Sequence, residues 1–281
     1  MNRRIIINAD DFGLCSGVNK AVAQAHTDGV LTSTTIMANM PAADEAVKIA
    51  KQLPDLGVGV HLNLFKGRPL SKDESVKCLL NTDGDFALTP AKLSLLSVCR
   101  RKIRNAIRTE LAAQIQWVID NGLKPTHLDS HKHIHSFPVI FQIVCGLAKR
   151  FEIAAIRFTL EPKQLLAMPW PLPSEGGRKR AKAIRIMAKI NRMQNPAFLK
   201  TDFLLGIAHM GKIDVNFFKA VALYNSAATT EVMTHPGLDD DLENIKSSLH
   251  QRKGELQALC SERTKQYFKN AGIKLVHYGQ L

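Results

Sequence analysis

Apolar positions along this chain fall into short buried runs that alternate with helical spacings. Arg4 to Ala9 is an apolar run closed by Asp10-Asp11-Phe12-Gly13, the pattern of a buried strand ending in an acidic turn. From Ser16 to His26, Val18, Ala21, Val22 and Ala25 recur at helical spacing, and Asp28-Gly29 ends the helix. Val30 to Ala38 is rich in β-branched residues and predicts a second strand. Pro41 opens a helix that runs to about Gln52. Gly57 to Leu64 predicts a third strand, with His61 inside it. Such alternation implies a parallel sheet with helices packed outside it.

Residues 65 to 90 read as loop, and Ala91 to Gly122 as a long helical region, two helices rather than one. Pro125 to Asp129 predicts a fourth strand. Ser136 suits an N-cap, with Pro138 just inside the helix that follows to about Arg150. Ile153 to Thr159 predicts a fifth strand. The alternation then breaks. Pro162, Pro169, Pro171 and Pro173 mark a loop around an apolar segment, Leu165 to Leu172, and a basic helix follows Gly176-Gly177. Val215 to Tyr224 is helical and Thr229 to His235 is a strand. An acidic turn at Asp239, Asp240 and Asp241 leads into helical sequence ending near Ala271, and Ile273 to Tyr278 is a last strand. No repeat, low-complexity tract or long linker divides the chain. It reads as one domain, 1–281, with a divergent Pro-rich and basic helical insertion at about 160–200.

A length of 281 residues with 45% apolar content suits an α/β barrel, which takes about 250 residues. No window approaches the roughly 20 apolar residues of a membrane span. Asp10 and Asp11 interrupt the first apolar run, which excludes a signal-peptide core, so a cytoplasmic location is expected. Five scattered cysteines without a CxxC pair fit a reducing compartment, and Cys99 and Cys145 are expected in the core. The net charge of +13 invites a nucleic-acid partner, but no RNP or zinc-finger motif is present and aromatics are only 6%, too few for base-stacking platforms. The excess is uneven. Arg100, Arg101, Lys102, Arg104 and Arg108 crowd the long helical region. Arg178, Lys182, Arg185, Lys189 and Arg192 recur at spacings of 4, 3, 4 and 3 beside Ile184, Met187 and Ile190. That stripe suits docking at the inner face of an anionic membrane, and equally the solvated face of an ordinary helix.

Chemistry concentrates in His127-Leu-Asp-Ser-His-Lys-His-Ile-His135, where four of the ten histidines fall within nine residues. If the stretch is extended, His127, Asp129, His131, His133 and His135 share a face. If it is helical, His127, His131 and His135 do. Converging neutral imidazoles are ligands for a divalent metal. Asp10 and Asp11 follow the first predicted strand, His61 lies in the third, Asp129 and His131 end the fourth, and His235 ends a late one. In parallel α/β sheets and barrels, sites form at these carboxyl ends. Asp129 suits a partner that orients a ligating imidazole. No Gly-x-Ser-x-Gly is present and no cysteine has a comparable setting, which argues against a nucleophilic triad.

The segments Asn8-Ala-Asp-Asp-Phe-Gly13, Thr32-Ser-Thr-Thr35, Gly59-Val-His-Leu-Asn63, Lys124-Pro-Thr-His-Leu-Asp-Ser-His131 and Met233-Thr-His-Pro-Gly237 together resemble the YdjC-like carbohydrate deacetylases. That group includes chitooligosaccharide deacetylases and a protein of hopanoid biosynthesis. The resemblance implies a distorted (β/α) TIM-like barrel. It implies one divalent metal ion held by Asp11, His61 and His131, with Asp10 as general base and His235 as general acid. His127, Asp129, His133 and His135 would support the ligands or meet substrate. Two imidazoles favour zinc, whereas family descriptions point to magnesium. The reaction implied is hydrolysis of an N-acetyl group from an amino sugar, giving acetate and a free amine. The substrate would be an N-acetylated saccharide or glycolipid. A lipid-linked sugar, as in a hopanoid glycolipid, suits the basic stripe and the Leu165–Leu172 segment, whereas a chitooligosaccharide needs an open aromatic groove. Two further readings stay open. One is a metal-dependent phosphoester hydrolase with a second metal near His133 and His135. The other is a non-enzymatic basic binding protein with a closed structural metal. A homodimer is also left open.

Overall fold

The computed structural model describes residues 3–162, 175–194, 197–238 and 249–281. The Leu165–Leu172 segment with its prolines, and the acidic turn at Asp239, Asp240 and Asp241, lie outside the described residues. The sheet is made of β1 (Arg4–Phe12), β2 (Ser33–Ile36), β3 (Gly57–Leu62), β4 (Leu128–Ser130), β5 (Phe203–Leu205), β6 (Thr229–Thr234) and β7 (Lys274–Leu275). Its order is β4-β3-β2-β1-β6-β5, with β7 paired to the first residues of β1. Every pairing is parallel. The sheet curls into an open half-barrel flanked by helices α1 (Ser16–Thr27), α2 (Ala43–Gln52), α3 (Pro90–Cys99), α4 (Arg101–Asp120), α5 (Pro138–Arg150), α6 (Glu175–Gln194), α7 (Val215–Tyr224), α8 (Leu249–Cys260) and α9 (Glu262–Asn270). This is the single-domain α/β, TIM-like architecture expected from the sequence.

Burial on both faces explains the unbroken apolar run of β1. Ile5 and Ile7 join the large core that also holds Val18 and Val22 of α1. Ile6 points the other way, into the barrel interior with Ala155, Val276 and Tyr278. By strand alternation Asn8 and Asp10 follow Ile6 inward, and the Asn8 side-chain amide donates to Asp10 Oδ1 at 2.9 Å.

Several elements differ from the sequence expectation. Ile153 to Thr159 is not a ladder strand. Ile156 bridges Leu128 and Ala155 bridges Leu199, each a single contact. Leu204 N–H donates to the Leu160 carbonyl. This irregular seam joins β4 to the chain entering β5 and closes the wall without a seventh regular neighbour. β5 lacks a periodic signal because it is only three residues long. The last strand is two residues long and gives way to a 3-10 turn at Tyr278–Gln280. The cap of α5 is Phe137, not Ser136, whose hydroxyl bonds Thr159 Oγ1 at 2.7 Å. Cys145 is buried, but Cys99 is exposed at the end of α3. Helix α6 packs through Gly177, Ala181, Ile184, Ala188 and Asn191. The basic stripe therefore runs along its flank: Lys182 and Lys189 are exposed, while Arg178, Arg185 and Arg192 are half-buried.

Candidate active site

A left-handed residue sets the geometry. Adjacent side chains on a strand point to opposite faces, so Asp10 and Asp11 should diverge. The register of β1 against β2 shifts between Ala9 and Phe12, and Asp11 has φ +70°. This bulge re-aims Asp11, and both carboxylates reach the interior. Aspartate is among the few non-glycine residues that take this conformation readily.

The histidine-rich stretch is neither extended nor helical throughout. His127 and Asp129 do share the inner face along β4. Beyond Ser130 the chain enters a 3-10 turn, His131–Ser136, in which Lys132 and His133 are left-handed, with φ +55° and +53°. His131, His133 and His135 therefore diverge. His131 turns to Asp11, its Nδ1 lying 3.2 Å from Oδ1. His135 is held inside the turn. Its Nε2 lies 3.1 Å from the Arg157 carbonyl, which can only accept, so Nε2 carries the proton and Nδ1 accepts from the Ser130 hydroxyl. His133 is buried with Nδ1 unpartnered, and burial holds its pKa well below the usual histidine range. His127 lies one layer deeper, stacked on Tyr278 at 3.9 Å and packed under Gly59, where a Cβ would meet its ring at 2.5 Å. Burial lowers its pKa to about 3. Neither His127 nor His135 reaches the cluster around Asp11.

That cluster is Asp11, His61 and His131, whose donor atoms converge. His61 Nε2 is 3.6 Å from Asp11 Oδ1. On its other side His61 Nδ1 donates to Asp129 Oδ1 at 2.8 Å, which fixes the tautomer and leaves the Nε2 lone pair facing Asp11. The hydroxyl of Thr35 donates to Asp129 Oδ2 at 3.1 Å. Asp11 Oδ2 accepts from Arg252 Nη2, whereas the buried Oδ1 faces only the ring nitrogens of His61 and His131. One carboxylate oxygen and two imidazole nitrogens, spaced as donors that share an ion with bonds of roughly 2 Å, fit a divalent metal.

Charge balance points the same way. Among the described residues Asp10, Asp11, Asp129, Glu231 and Glu255 are buried around two guanidinium groups, those of Arg157 and Arg252. Carboxyl groups are in excess there, and a dication would offset that excess. Without an ion the protein must take up protons. Burial opposes protonation of His61, yet Asp129 and Asp10 outweigh it and raise its pKa to about 9. Burial also pushes Glu231 up, more than Arg157 pulls it down.

Arg157 is the hub that the motifs did not reveal. It is fully buried, chelates Asp10 through Nη1 and Nη2 at 2.8 and 2.7 Å, and reaches Asp129 Oδ2 at 2.6 Å. Its Nε and Nη2 meet Glu231 Oε1 at 2.9 and 2.6 Å. The hydroxyl of Tyr278 caps the other Glu231 oxygen. Burial would raise the Asp10 pKa, but Arg157 outweighs it and keeps Asp10 ionised. A second candidate metal cluster of Asp10, His61 and Asp129 is thus already filled by the guanidinium. The signal was in the sequence: Arg157 and Glu231 are charges in the middle of apolar runs that read as buried strands.

His235 follows β6. Its N–H donates to Glu255 of α8 at 2.5 Å, and one turn earlier on the same helix Arg252 holds Asp11. Helix α8 thereby braces Asp11 and His235 together. The Nδ1 of His235 is unpartnered. Burial lowers its pKa to about 4 against the opposing pull of Asp10 and Asp11, so the ring is neutral near pH 7. The structure brings Asp10, Asp11, His61, His131 and His235 from β1, β3, the end of β4 and the end of β6 to one mouth.

Known proteins are similar to this chain over nearly its whole length. Over 279 residues the chain is 34% identical to a carbohydrate deacetylase of Geobacillus stearothermophilus, covering 99% of this chain and 98% of that one. It is 33% identical to a carbohydrate deacetylase of Brevibacillus brevis, with 99% of each chain covered. A crystal structure of an Enterococcus faecalis V583 protein, named for cellobiose-phosphate cleavage, superposes with TM-score 0.77 at 25% identity, covering 100% of this chain and 99% of that one. The family model described as YdjC-like protein matches residues 4–270, and the chain belongs to the YdjC-like family.

Proposed function

We propose that this protein is a carbohydrate deacetylase, a hydrolase that removes the N-acetyl group of an amino sugar with the help of one divalent metal ion. The observation that carries the reading is the cluster of Asp11, His61 and His131 beside Asp10 and His235, in a chain that aligns end to end with carbohydrate deacetylases.

Asp11, His61 and His131 would hold the ion, and three protein donors leave room for water and substrate. When bound, a divalent ion polarises the acetyl carbonyl and lowers the pKa of water. Arg157 and Asn8 fix the Asp10 carboxylate in one orientation, ready to take the proton of the attacking water. His235 begins neutral, so it has room for that proton. Asp10 hands the proton over, and His235 returns it to the leaving nitrogen, which departs as an amine. The opposing charges of Asp10 and a protonated His235 favour this relay.

Within this reading we favour a lipid-linked amino sugar, a hopanoid glycolipid being one instance, over a soluble chitooligosaccharide. Aromatic residues are only 6% of the chain, meagre material for a sugar-stacking groove. A two-metal phosphoester hydrolase loses its support, because Arg157 fills the second cluster and His135 is committed to Ser130 and the Arg157 carbonyl. A closed structural metal would need a fourth protein donor, and Asp11, His61 and His131 supply three.

The test is acetate release from N-acetylglucosamine-bearing substrates, soluble and lipid-linked, by metal-loaded wild type and Asp10→Asn. Wild type should release acetate. The variant should bind metal equally and lose roughly 10²- to 10⁴-fold in kcat. Metal-loaded protein that releases no acetate from any N-acetyl sugar refutes the proposal.

A further inference from the structure

The positive charge of this protein is almost wholly local. Residues 90 to 108, which form α3 and the start of α4, carry six basic residues and no acid. Helix α6 carries seven basic residues and one acid, Glu175, which is paired with Lys179. These two stretches hold twelve of the thirteen net charges. A uniform solubilising surface would not distribute charge this way.

The same two helices expose apolar side chains. On α3, Leu95 is 66% and Val98 62% exposed, with exposed Lys92, Arg100, Arg101 and Lys102 around them. On α6, Ile186 is 65%, Ile190 40% and Met193 84% exposed. Ala183, Ile186, Ile190 and Met193 recur at spacings of 3 and 4 along one outward line, with Lys179, Lys182 and Lys189 beside it. Each helix thus presents an apolar ridge in a basic border, the pattern of a helix lying in a lipid interface. The two helices share packing partners. Both α3 and α6 pack on α5 and on the His131–Ser136 turn, the turn that delivers His131 to the mouth. Helix α5 itself ends in exposed Lys149 and Arg150.

We infer that the face formed by α3 and α6 docks on an anionic lipid bilayer, setting the mouth of the barrel beside the membrane surface. Apolar ridges supply insertion, and the basic border supplies attraction to acidic headgroups. An acidic protein partner would account for the charge but not for two separated apolar ridges of bare helix. Docking of this kind gives a lipid-linked sugar a path to the mouth. That consequence rests on the deacetylase reading, whereas the docking does not.

The experiment is vesicle co-sedimentation of the full chain, without substrate, on phosphatidylcholine vesicles with and without phosphatidylglycerol. Four forms are compared: wild type, Ile186→Glu with Met193→Glu, Leu95→Glu with Val98→Glu, and a control, Leu223→Glu with Tyr224→Glu. The control changes comparably exposed residues on α7, which packs on α8 and α9. Wild type and control should bind anionic vesicles, and each ridge variant should bind about tenfold or more weakly. Raising salt should weaken binding, since exposed charge attraction is screened. Melting temperature and far-ultraviolet circular dichroism should be unchanged in all four, which reports intact folding. Wild type that ignores anionic vesicles, or ridge variants that bind as well as wild type, overturns the inference. So does a dimer in analytical ultracentrifugation that the ridge variants dissociate while vesicles bind nothing. Because binding is read without substrate, failure of docking and failure of the deacetylase reading are separate results.

Discussion

Replacing Arg157 with methionine should destabilise the protein in a pH-dependent manner that a second substitution offsets. The guanidinium is fully buried and makes two bonds to Asp10, two to Glu231 and one to Asp129, all between 2.6 and 2.9 Å. Methionine keeps much of the volume and removes the charge. Removing one partner of a buried ion pair costs about 3–5 kcal/mol, because the other partner stays buried and unpaired. At roughly 2–4 °C per kcal/mol for a chain of this size, the melting temperature should fall by about 6–20 °C at neutral pH. With Arg157 present, the Asp10 and Asp129 pKa values lie below normal. Their contribution is therefore full above the unfolded carboxylate range and is lost only as pH falls through the folded values. Without Arg157, burial raises both carboxylates instead. The variant's deficit is then greatest at neutral and alkaline pH and shrinks toward pH 5 as they take up protons. Removing a competing charge should help: Arg157→Met with Glu231→Gln should melt above Arg157→Met alone. Scanning calorimetry of wild type, Arg157→Met, Glu231→Gln and the double variant at pH 5 and pH 8 is the assay. A fall of less than about 3 °C at pH 8, a deficit that grows toward pH 5, or a double variant worse than the single would each refute this reading of Arg157.

Metal affinity should rise about tenfold per pH unit below pH 9, because the ion must displace the proton that His61 holds up to about pH 9 in the metal-free protein. Calorimetric titration in buffers of different ionisation enthalpy should show one proton released per ion near pH 7.5, and pH-independent affinity would contradict it. Asp129→Asn keeps the shape beside His61 Nδ1 but removes the charge. It should weaken metal binding about 10- to 100-fold, and an unchanged dissociation constant would remove Asp129 from the site. Gly59→Ala would drive a methyl to 2.5 Å from the His127 ring and 2.7 Å from its carbonyl oxygen. Thermal denaturation should show a loss of about 1–3 kcal/mol, and a neutral result would mean that β3 and β4 can separate locally.

The parallel alternation was legible because β1, β3 and β6 are long enough to display a buried run, and their helices carry clear spacings. The residues at strand ends were legible for the same reason: Asp10, His61 and His235 sit where those runs stop. The turn after Ser130 was not legible. Two consecutive left-handed residues, Lys132 and His133, leave no periodic trace, so of the five residues that an extended chain would put on one face, His131, His133 and His135 diverge. The bulge at Asp11 was hidden likewise, since aspartate there is chemically unremarked. Arg157 sits in a segment that reads as an ordinary strand. Its bonding partners lie 147, 28 and 74 positions away, too far for any local pattern. Cys99 and the outward ridge of α6 show the converse: apolar side chains do not announce from sequence which ones stay in water.

The irregular seam beside β4 has a consequence for how such proteins diversify. A regular ladder transmits register: an insertion in one strand shifts every side chain after it to the opposite face. Here β4 meets the chain entering β5 through single bridges at Leu128–Ile156 and Ala155–Leu199. Segments between 160 and 199 can lengthen, shorten or change character without moving Arg157, which hangs from the Leu128 bond, or Glu231, which is registered on β1 through β6. The same interval stays coupled to His131, because α6 packs on the His131–Ser136 turn and Asn191 donates to the Ser136 carbonyl. Change between 160 and 199 would therefore reach the candidate site through His131 and leave Arg157 and Glu231 in place.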